Sequence, residues 1–378
     1  MNKLNLLIKK LCPNGVEYKL LSEVAKCSKG TQLNKDGLLE SGYPVINGGI
    51  HPSGYWKKYN YPKNRITISQ GGASAGYVNY QESEFWAGAH CYVITDEVDS
   101  INYKFLYYVL KMCEKKLTEC QYGAGIPALA TKTVNSLRIP VPPMEVQCEI
   151  VRILDNFTEL TAELTAELTA RRKQFEYYKY KLLFENIKEV EKAPLEKIAE
   201  YSKKRTLCSV LNKDTFVGVD NLLQNKFGKR DSECVPTVGN CTGYSKGDIL
   251  IGNIRPYLKK IWYATNDGGT SGDVLVVTLK TGKVLSKFLY YVLSSDEFFE
   301  YDDSHSKGAK MPRGDKTSIM KFYIPIIATE EQQRIVDILD KFDTYCNDLT
   351  QGLPAEIELR KQQYEYYRDK LLSFKELK

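Results

Sequence analysis

Residues 139–183 read IPVPPMEVQCEIVRILDNFTELTAELTAELTARRKQFEYYKYKLL, and most of that stretch returns at residues 324–372 as IPIIATEEQQRIVDILDKFDTYCNDLTQGLPAEIELRKQQYEYYRDKLL. Ile139-Pro140 matches Ile324-Pro325, and Ile153-Leu154-Asp155 matches Ile338-Leu339-Asp340 at the same offset. Phe175-Glu176-Tyr177-Tyr178 then matches Tyr364-Glu365-Tyr366-Tyr367 at an offset four residues larger. Apolar side chains in the first copy fall at Ile150, Ile153, Phe157, Leu160, Leu164, Leu168, Phe175, Tyr178 and Leu182, mostly three or four apart. Such spacing paints one stripe on a helix, enough for one partner helix. Pro142-Pro143 stand ahead of it, and Glu145 and Glu149 occupy the first turns, where the helix dipole favours acid. Between the ends runs TAELTAELTA (161–170), which offers one Leu per turn. At about 1.5 Å per residue this helix is roughly 60 Å long, and it reads as a spacer. In the second copy Gly352-Leu353-Pro354 interrupts the helix, because Pro removes an internal hydrogen bond and Gly favours a helix end. Two segments, about 330–349 and 354–374, are expected there, joined by a kink.

The duplication reaches beyond the helices. KFLYYVL at 104–110 recurs unchanged at 287–293. The strand-like runs RITIS (65–69) and CYVIT (91–95) are echoed by DILIG (248–252) and GDVLVVT (272–278). Gly123, Ala124 and Pro127 return as Gly308, Ala309 and Pro312. Residues 18–25 read as a short amphipathic helix, 26–37 as a polar loop, and 102–117 as one helix. The chain divides into a domain at 1–140, a long-helix region at 141–187, a second domain at 188–325 and a kinked-helix region at 326–378. The fold class is α+β: two similar mixed α/β domains separated by two long helices packed as an antiparallel coiled coil, with internal pseudo-two-fold duplication.

Composition excludes several functional classes. The 378 residues are 43% hydrophobic and 26% charged, with a net charge of +6, which suits a soluble protein and is compatible with nucleic acid. No apolar run approaches a membrane span, and the N-terminus is a poor signal peptide, so the cytoplasm is expected. Ten cysteines are scattered without a CxxC pair beside only three histidines, so no metal site is expected. The chain lacks a phosphate-binding GxxxxGK[ST] and an HExxH. Its one Pro-Pro, in Val141-Pro142-Pro143-Met144, lacks the acid or amide and the aromatic of an adenine methyltransferase loop. Glu17-Tyr18-Lys19 and Glu376-Leu377-Lys378 fit a nuclease-type ExK, a three-residue pattern that common residues produce by chance. No catalytic residue is assigned.

Two similar domains joined by long helices suit a partner with two quasi-equivalent sites, and double-stranded DNA is such a partner. Loops that differ between the halves are then candidates for specificity. After RITIS come Gln70, Gly71, Gly72 and Ser74; after DILIG come Asn253, Arg255 and Tyr257, then Lys259 and Lys260. Amides can pair with adenine and Arg or Lys with guanine, while Gly permits close backbone approach. The late loops set Gln121 and Tyr122 against Lys307, Lys310 and Arg313, and the early ones set Thr31 and Gln32 against Lys203, Lys204 and Arg205. The basic members also suit phosphate contacts, and all of these residues also suit a solvated polar surface. Arg171, Arg172, Tyr177 and Tyr178, with their counterparts Arg360, Lys361, Tyr366 and Tyr367, form aromatic-basic patches suited to helix packing and to a protein partner.

The bipartite layout, IPVPP with its following E-V-Q helix, the TAEL tandem and the closing GLPAEIELRKQQYEYYRDKLL together resemble the specificity subunit of type I restriction–modification systems, over essentially the whole chain. The resemblance implies two target recognition domains, each reading one part of a split DNA sequence. It implies helices that hold them apart and bind two methyltransferase subunits, with restriction subunits joining. S-adenosylmethionine, ATP and Mg would then sit on the partners and none in this chain. It transfers no base contact, because the family's variable regions carry no fixed reading motif. A DNA nuclease or methyltransferase with an undetected active site is the alternative, and a structural coiled-coil protein is a third reading.

Overall fold

The computed structural model describes residues 2–34, 37–123, 125, 127–187, 189–280, 282–348 and 350–377. Ala124 of the repeated loop, Lys188 at the expected start of the second domain and Leu349 at the expected end of a helix lie outside them. The chain folds as two compact units: Met1–Glu163 with Glu358–Lys378, and Leu164–Ile357. Each unit thus combines one domain with part of both long-helix regions.

The units are built alike. In the first, Tyr18–Leu20 pairs antiparallel with Arg138–Pro140. A four-stranded antiparallel sheet runs Lys26–Lys29, Cys91–Thr95, Arg65–Ser69, Val78–Gln81. A smaller sheet holds Tyr55–Trp56, Tyr43–Ile46 and Trp86–Ala87, the last two parallel. In the second unit Lys192–Pro194 pairs with Tyr323–Pro325. Its antiparallel sheet runs Ala199–Tyr201, Val274–Leu279, Ile249–Gly252, Ile261–Tyr263. The other sheet runs Arg205–Leu207, Asn240–Tyr244, Gly268–Thr270, Phe216–Val217, again with one parallel pair.

Three local expectations are corrected. Residues 18–25 are a strand followed by the four-residue helix Leu21–Val24, because Tyr18–Leu20 is captured by the backbone of Arg138–Pro140. Lys26–Lys29 is a strand rather than loop; at a sheet edge it needs only one partner and its lysines can face water. The helix expected at 102–117 breaks at Cys113 into Tyr103–Met112 and Glu114–Glu119. There the Glu114 carboxylate accepts hydrogen bonds from the Val78 N–H (2.7 Å) and the Lys111 ammonium (2.6 Å), which redirects the chain toward the sheet.

The central helix is Met144–Tyr180, 37 residues, starting after the Ile139-Pro140 strand and closing in a π-helical turn at Lys181–Glu185. The C-terminal region is two helices, Thr329–Asn347 and Gly352–Leu372; the break falls just ahead of Gly352-Leu353-Pro354, which opens the second helix. Within the second unit the long-helix segments run antiparallel. Arg172 donates to the Cys346 carbonyl (3.3 Å) and the Asn347 amide (3.2 Å), while Phe175 and Tyr178, further along, pack on the earlier Phe342 at 6.3 and 6.2 Å between ring centres. In the first unit Tyr367 stacks on Phe157 at 5.5 Å. Tyr178 on Phe342 and Tyr367 on Phe157 are the same contact with the two arms exchanged, which is the pseudo-two-fold relation in side chains.

The unchanged KFLYYVL now has a cause. Phe105, Leu106, Tyr108, Val109 and Leu110 are buried between the sheet residues Ile66, Ile68 and Ile94 and the helix residues Val146, Ile150 and Leu154. Phe288, Leu289, Tyr291, Val292 and Leu293 do the same against Ile249, Ile251, Ile335, Val336 and Leu339. Its polar members tie domain to helix. The Tyr108 hydroxyl donates to Asp155 and the Tyr291 hydroxyl to Asp340. Lys104 lies 3.7 Å from Asp155, and Lys287 lies 3.4 Å from Asp340. Burial pushes both tyrosines' pKa up, and the adjoining carboxylate adds to it.

Candidate nucleic-acid interface

In both units a backbone bridge joins the loop after the central strand to the late loop. Gly71 bridges Ala128, which also bridges Tyr122. In the second unit Ile254 bridges Arg313, which also bridges Lys307. The Leu129 N–H donates to the Gln70 carbonyl (2.8 Å), and the Gly314 N–H to the Asn253 carbonyl (3.1 Å). Two loops that the sequence separates by about fifty residues thus form one three-segment platform per unit.

On the first platform Gln70, Gly71, Gly72 and Ser74 are half-buried and Tyr122 is exposed. Gln70 faces His90, with Oε1 and Nδ1 3.3 Å apart. Gln121 spends its amide on the Ala75 carbonyl (2.6 Å), so it supports the loop from behind. Thr31 and Gln32 are exposed to one side, where the Thr31 N–H is tied to the Ala87 carbonyl at 2.8 Å.

The second platform is basic. Arg255, Tyr257, Lys307, Lys310 and Arg313 are exposed there. Lys307 lies 3.5 Å from Asp315, and Arg313 lies 3.3 Å from Asp273. Arg255 and Lys260 line a cleft of about 540 Å³ with Asp220, Arg230, Asp273 and Met311. Three expected readers turn out to be structural. Lys260 is buried, donates to the Val219 carbonyl (2.6 Å), and its pKa is lowered by that burial. Asn253 is buried, and its side-chain oxygen has no hydrogen-bond partner among the described residues. Lys259 pairs with Asp296 at 2.7 Å. The two lysines thus spend their ammonium groups on partners within the unit. Lys203, Lys204 and Arg205 are exposed at the start of the Arg205–Leu207 strand, with Lys204 donating to Ser245 (2.9 Å) and Arg205 to Thr242 (3.4 Å). No contact among the described residues joins them to the platform.

Asp296 gathers a second cluster. Its carboxylate also holds Lys226 (3.1 Å), which reaches Glu176 on the central helix (2.9 Å). Burial by itself would raise the Asp296 pKa, but the two ammonium groups together outweigh it and hold the carboxylate below its usual range. Beside it Lys179 is buried, donates to the Ser294 carbonyl (2.7 Å), and is pushed down to about 8 by desolvation.

His90, Asn47 (whose Oδ1 accepts from the His90 N–H at 3.0 Å), Asp273 and Asp296 escaped the sequence reading. His90 could have been found as one of only three histidines, lying just before the CYVIT strand. The other three carry no local signal, since their role comes from partners far along the chain.

Of the aromatic-basic patches, Arg172 and Tyr367 are engaged in helix packing, and Arg172 also lies 4.9 Å over Phe227. Tyr178 is shared between packing and solvent. Tyr177 and Tyr366, equivalent in the repeat, are well exposed, as are Arg171 and Lys361; Arg360 is half-buried and bonds to Gln363 (3.2 Å).

A family model described as the type I restriction modification DNA specificity domain matches residues 13–171 and again 187–359. A Haemophilus influenzae chain named as a type I restriction enzyme specificity subunit is 31% identical, with 99% of each chain covered. The specificity subunit of the Escherichia coli type I restriction enzymes EcoR124I and EcoR124II is 32% identical, over 72% of this chain and 70% of that one. The fold is similar to that of a type I restriction–modification S subunit from M. genitalium, with a TM-score of 0.56 at 20% identity, covering 94% of this chain and 95% of the other.

Proposed function

The chain belongs to the type I restriction–modification DNA specificity family, as its DNA-recognition, non-catalytic component, and from that premise we propose that each platform reads one part of a bipartite double-stranded target. The observation that carries this reading is one frame occurring twice with different side chains on it. A shared frame sets how a loop approaches a groove, and the side chains decide which bases are accepted. The platform of Gln70, His90 and Tyr122 and the Arg- and Lys-rich one of Arg255, Lys310 and Arg313 accordingly read different half-sites.

The exposed Tyr177 and Tyr366, with their basic neighbours, are proposed to dock two methyltransferase subunits, one at each copy of the repeat. Restriction subunits join that assembly, and S-adenosylmethionine, ATP and Mg²⁺ are held by the partners. The assembly works on cytoplasmic DNA. No helix among the described residues is long and apolar enough to cross a membrane.

Sequencing the methylated sites in DNA modified by the chain together with its methyltransferase subunits tests the proposal. A split motif is expected. Exchanging residues 248–260 for another sequence is expected to change one half-site alone, and loss of both would reassign the segment to scaffold. Inserting one more Thr-Ala-Glu-Leu into 161–170 lengthens the helix by about 6 Å and turns it about 40° past a full turn. The unspecified gap should then grow by one or two base pairs with both half-sites intact; new half-site letters at an unchanged gap would contradict the spacer role.

A further inference from the structure

The loops after the central strands share no residue at any position from 70–77 and 253–260, yet they fold into the same turn. Its base is closed by the Ser69 N–H on the Tyr77 carbonyl (2.9 Å) and by the Gly252 N–H on the Lys260 carbonyl (2.9 Å). The Gly72 N–H donates to the Pro127 carbonyl (2.8 Å), and the Arg255 N–H to the Pro312 carbonyl (2.7 Å). The Ala75 N–H closes on Gly72 (3.0 Å), and the Leu258 N–H on Arg255 (2.9 Å). Both turns need left-handed backbone at the same two places. Gly72 and Gly76 supply it with φ of 83° and 92°; Arg255 and Lys259 supply it with φ of 54° and 51°.

A residue with a Cβ resists that conformation, so glycine is the relaxed choice, as the first unit illustrates. Strained non-glycine residues persist where the surroundings over-determine them, and they concentrate at binding sites. The surroundings here do so. The Leu258 and Lys259 carbonyls accept from the Asn225 and Lys226 N–H groups, each at 2.9 Å, and the Lys259 ammonium is held by Asp296. Lys259 therefore has a structural partner for its side chain. The Arg255 guanidinium is exposed and has no ion pair or hydrogen bond among the described residues. It is a residue in left-handed backbone whose guanidinium is left open to a partner.

Resting on the DNA reading above, we infer that Arg255 is a specificity-determining residue of the second unit, reading a guanine of its half-site. The guanidinium fork matches guanine O6 and N7. A phosphate contact would not require a fixed backbone, and the neighbouring Lys307 and Lys310 already offer charge on flexible stems.

Arg255→Gly tests this without dismantling the turn, since glycine is what the first unit uses there. In the chain assembled with its methyltransferase subunits, discrimination at one guanine of one half-site should fall about 10- to 100-fold, with thermal stability kept or raised. Arg255→Lys should keep the salt dependence of binding and still relax that position. Uniform weakening across all sequences, with the salt slope reduced by about one, would make Arg255 a phosphate contact and overturn the inference. An unchanged motif in Arg255→Gly, from a wild type that modifies specific sites, would overturn it while leaving the DNA reading in place. A wild-type assembly without sequence preference would overturn both.

Discussion

Replacing Gln332 by leucine is expected to destabilise the second unit by about 3–5 kcal/mol, a large share of a domain's stability. Gln332 is completely buried near the start of its helix. Its Oε1 accepts from the Leu285 N–H (2.8 Å), and its Nε2 donates to the Lys283 (2.9 Å) and Ile327 (2.8 Å) carbonyls. One side chain thus satisfies two backbone groups at the start of the helix that carries Phe288 to Leu293 and one just ahead of its own helix. Leucine fills the space and leaves all three unpaired, each costing about 1–3 kcal/mol, less what relaxation recovers. Gln147 makes the same three bonds in the first unit, from the Asn102 N–H (2.7 Å) and to the Ser100 (2.8 Å) and Pro142 (2.7 Å) carbonyls. Gln147→Leu should therefore act on the first unit by a similar amount. Urea unfolding followed by hydrogen exchange in each unit distinguishes them. A loss below about 1 kcal/mol for both variants would show that water replaces the amide.

Asp302→Asn is expected to stabilise the second unit above pH 7 by about 3 kcal/mol and to do little near pH 4. Asp302 is buried, and neither carboxylate oxygen has a partner among the described residues. Desolvation, helped by Asp303 and opposed by His305, raises its pKa from 3.8 to about 7. A folded-state pKa above the unfolded one means that the fold binds the proton more tightly. The fold is therefore favoured in acid, and the penalty grows as pH rises from about 4 to about 7, beyond which it is complete. A shift of three units corresponds to roughly 4 kcal/mol at its fullest. Asparagine cannot ionise and escapes it. Unfolding midpoints measured from pH 4.5 to 8.5 check this, and parallel curves for variant and wild type would show that Asp302 keeps no proton. Such a titration would be felt at the platform, because Asp302 and the Asn253 side-chain oxygen both border the space that a side chain on Gly314 would enter, and the Gly314 N–H holds the loop.

The repeat made much of this protein legible before any coordinates. Apolar spacing exposed the central helix, and Gly352-Leu353-Pro354 marked where the other arm breaks, because helix periodicity and helix breakers are local properties. The repeat of KFLYYVL marked it as scaffold, and its bonds to Asp155 and Asp340 explain why even its polar members recur. Local reading failed where a distant partner decided the outcome. Lys26–Lys29 looks like loop until Cys91–Thr95 supplies its hydrogen bonds. Glu114 breaks a continuous apolar pattern because it binds the Val78 N–H.

At the platforms the division is sharpest. The sequence alone determined that the chain is two related halves with long helices, and that the halves differ in the loops after their central strands. Only the tertiary structure decided that these unlike loops are one turn, that Gln121, Lys259 and Lys260 hold it in place, and that Arg255 is left facing solvent. The physical reason is that internal comparison sees side chains, whereas the turn is made by backbone hydrogen bonds to Pro127 and Pro312. Those bonds can be met by glycine at no strain or by arginine with it.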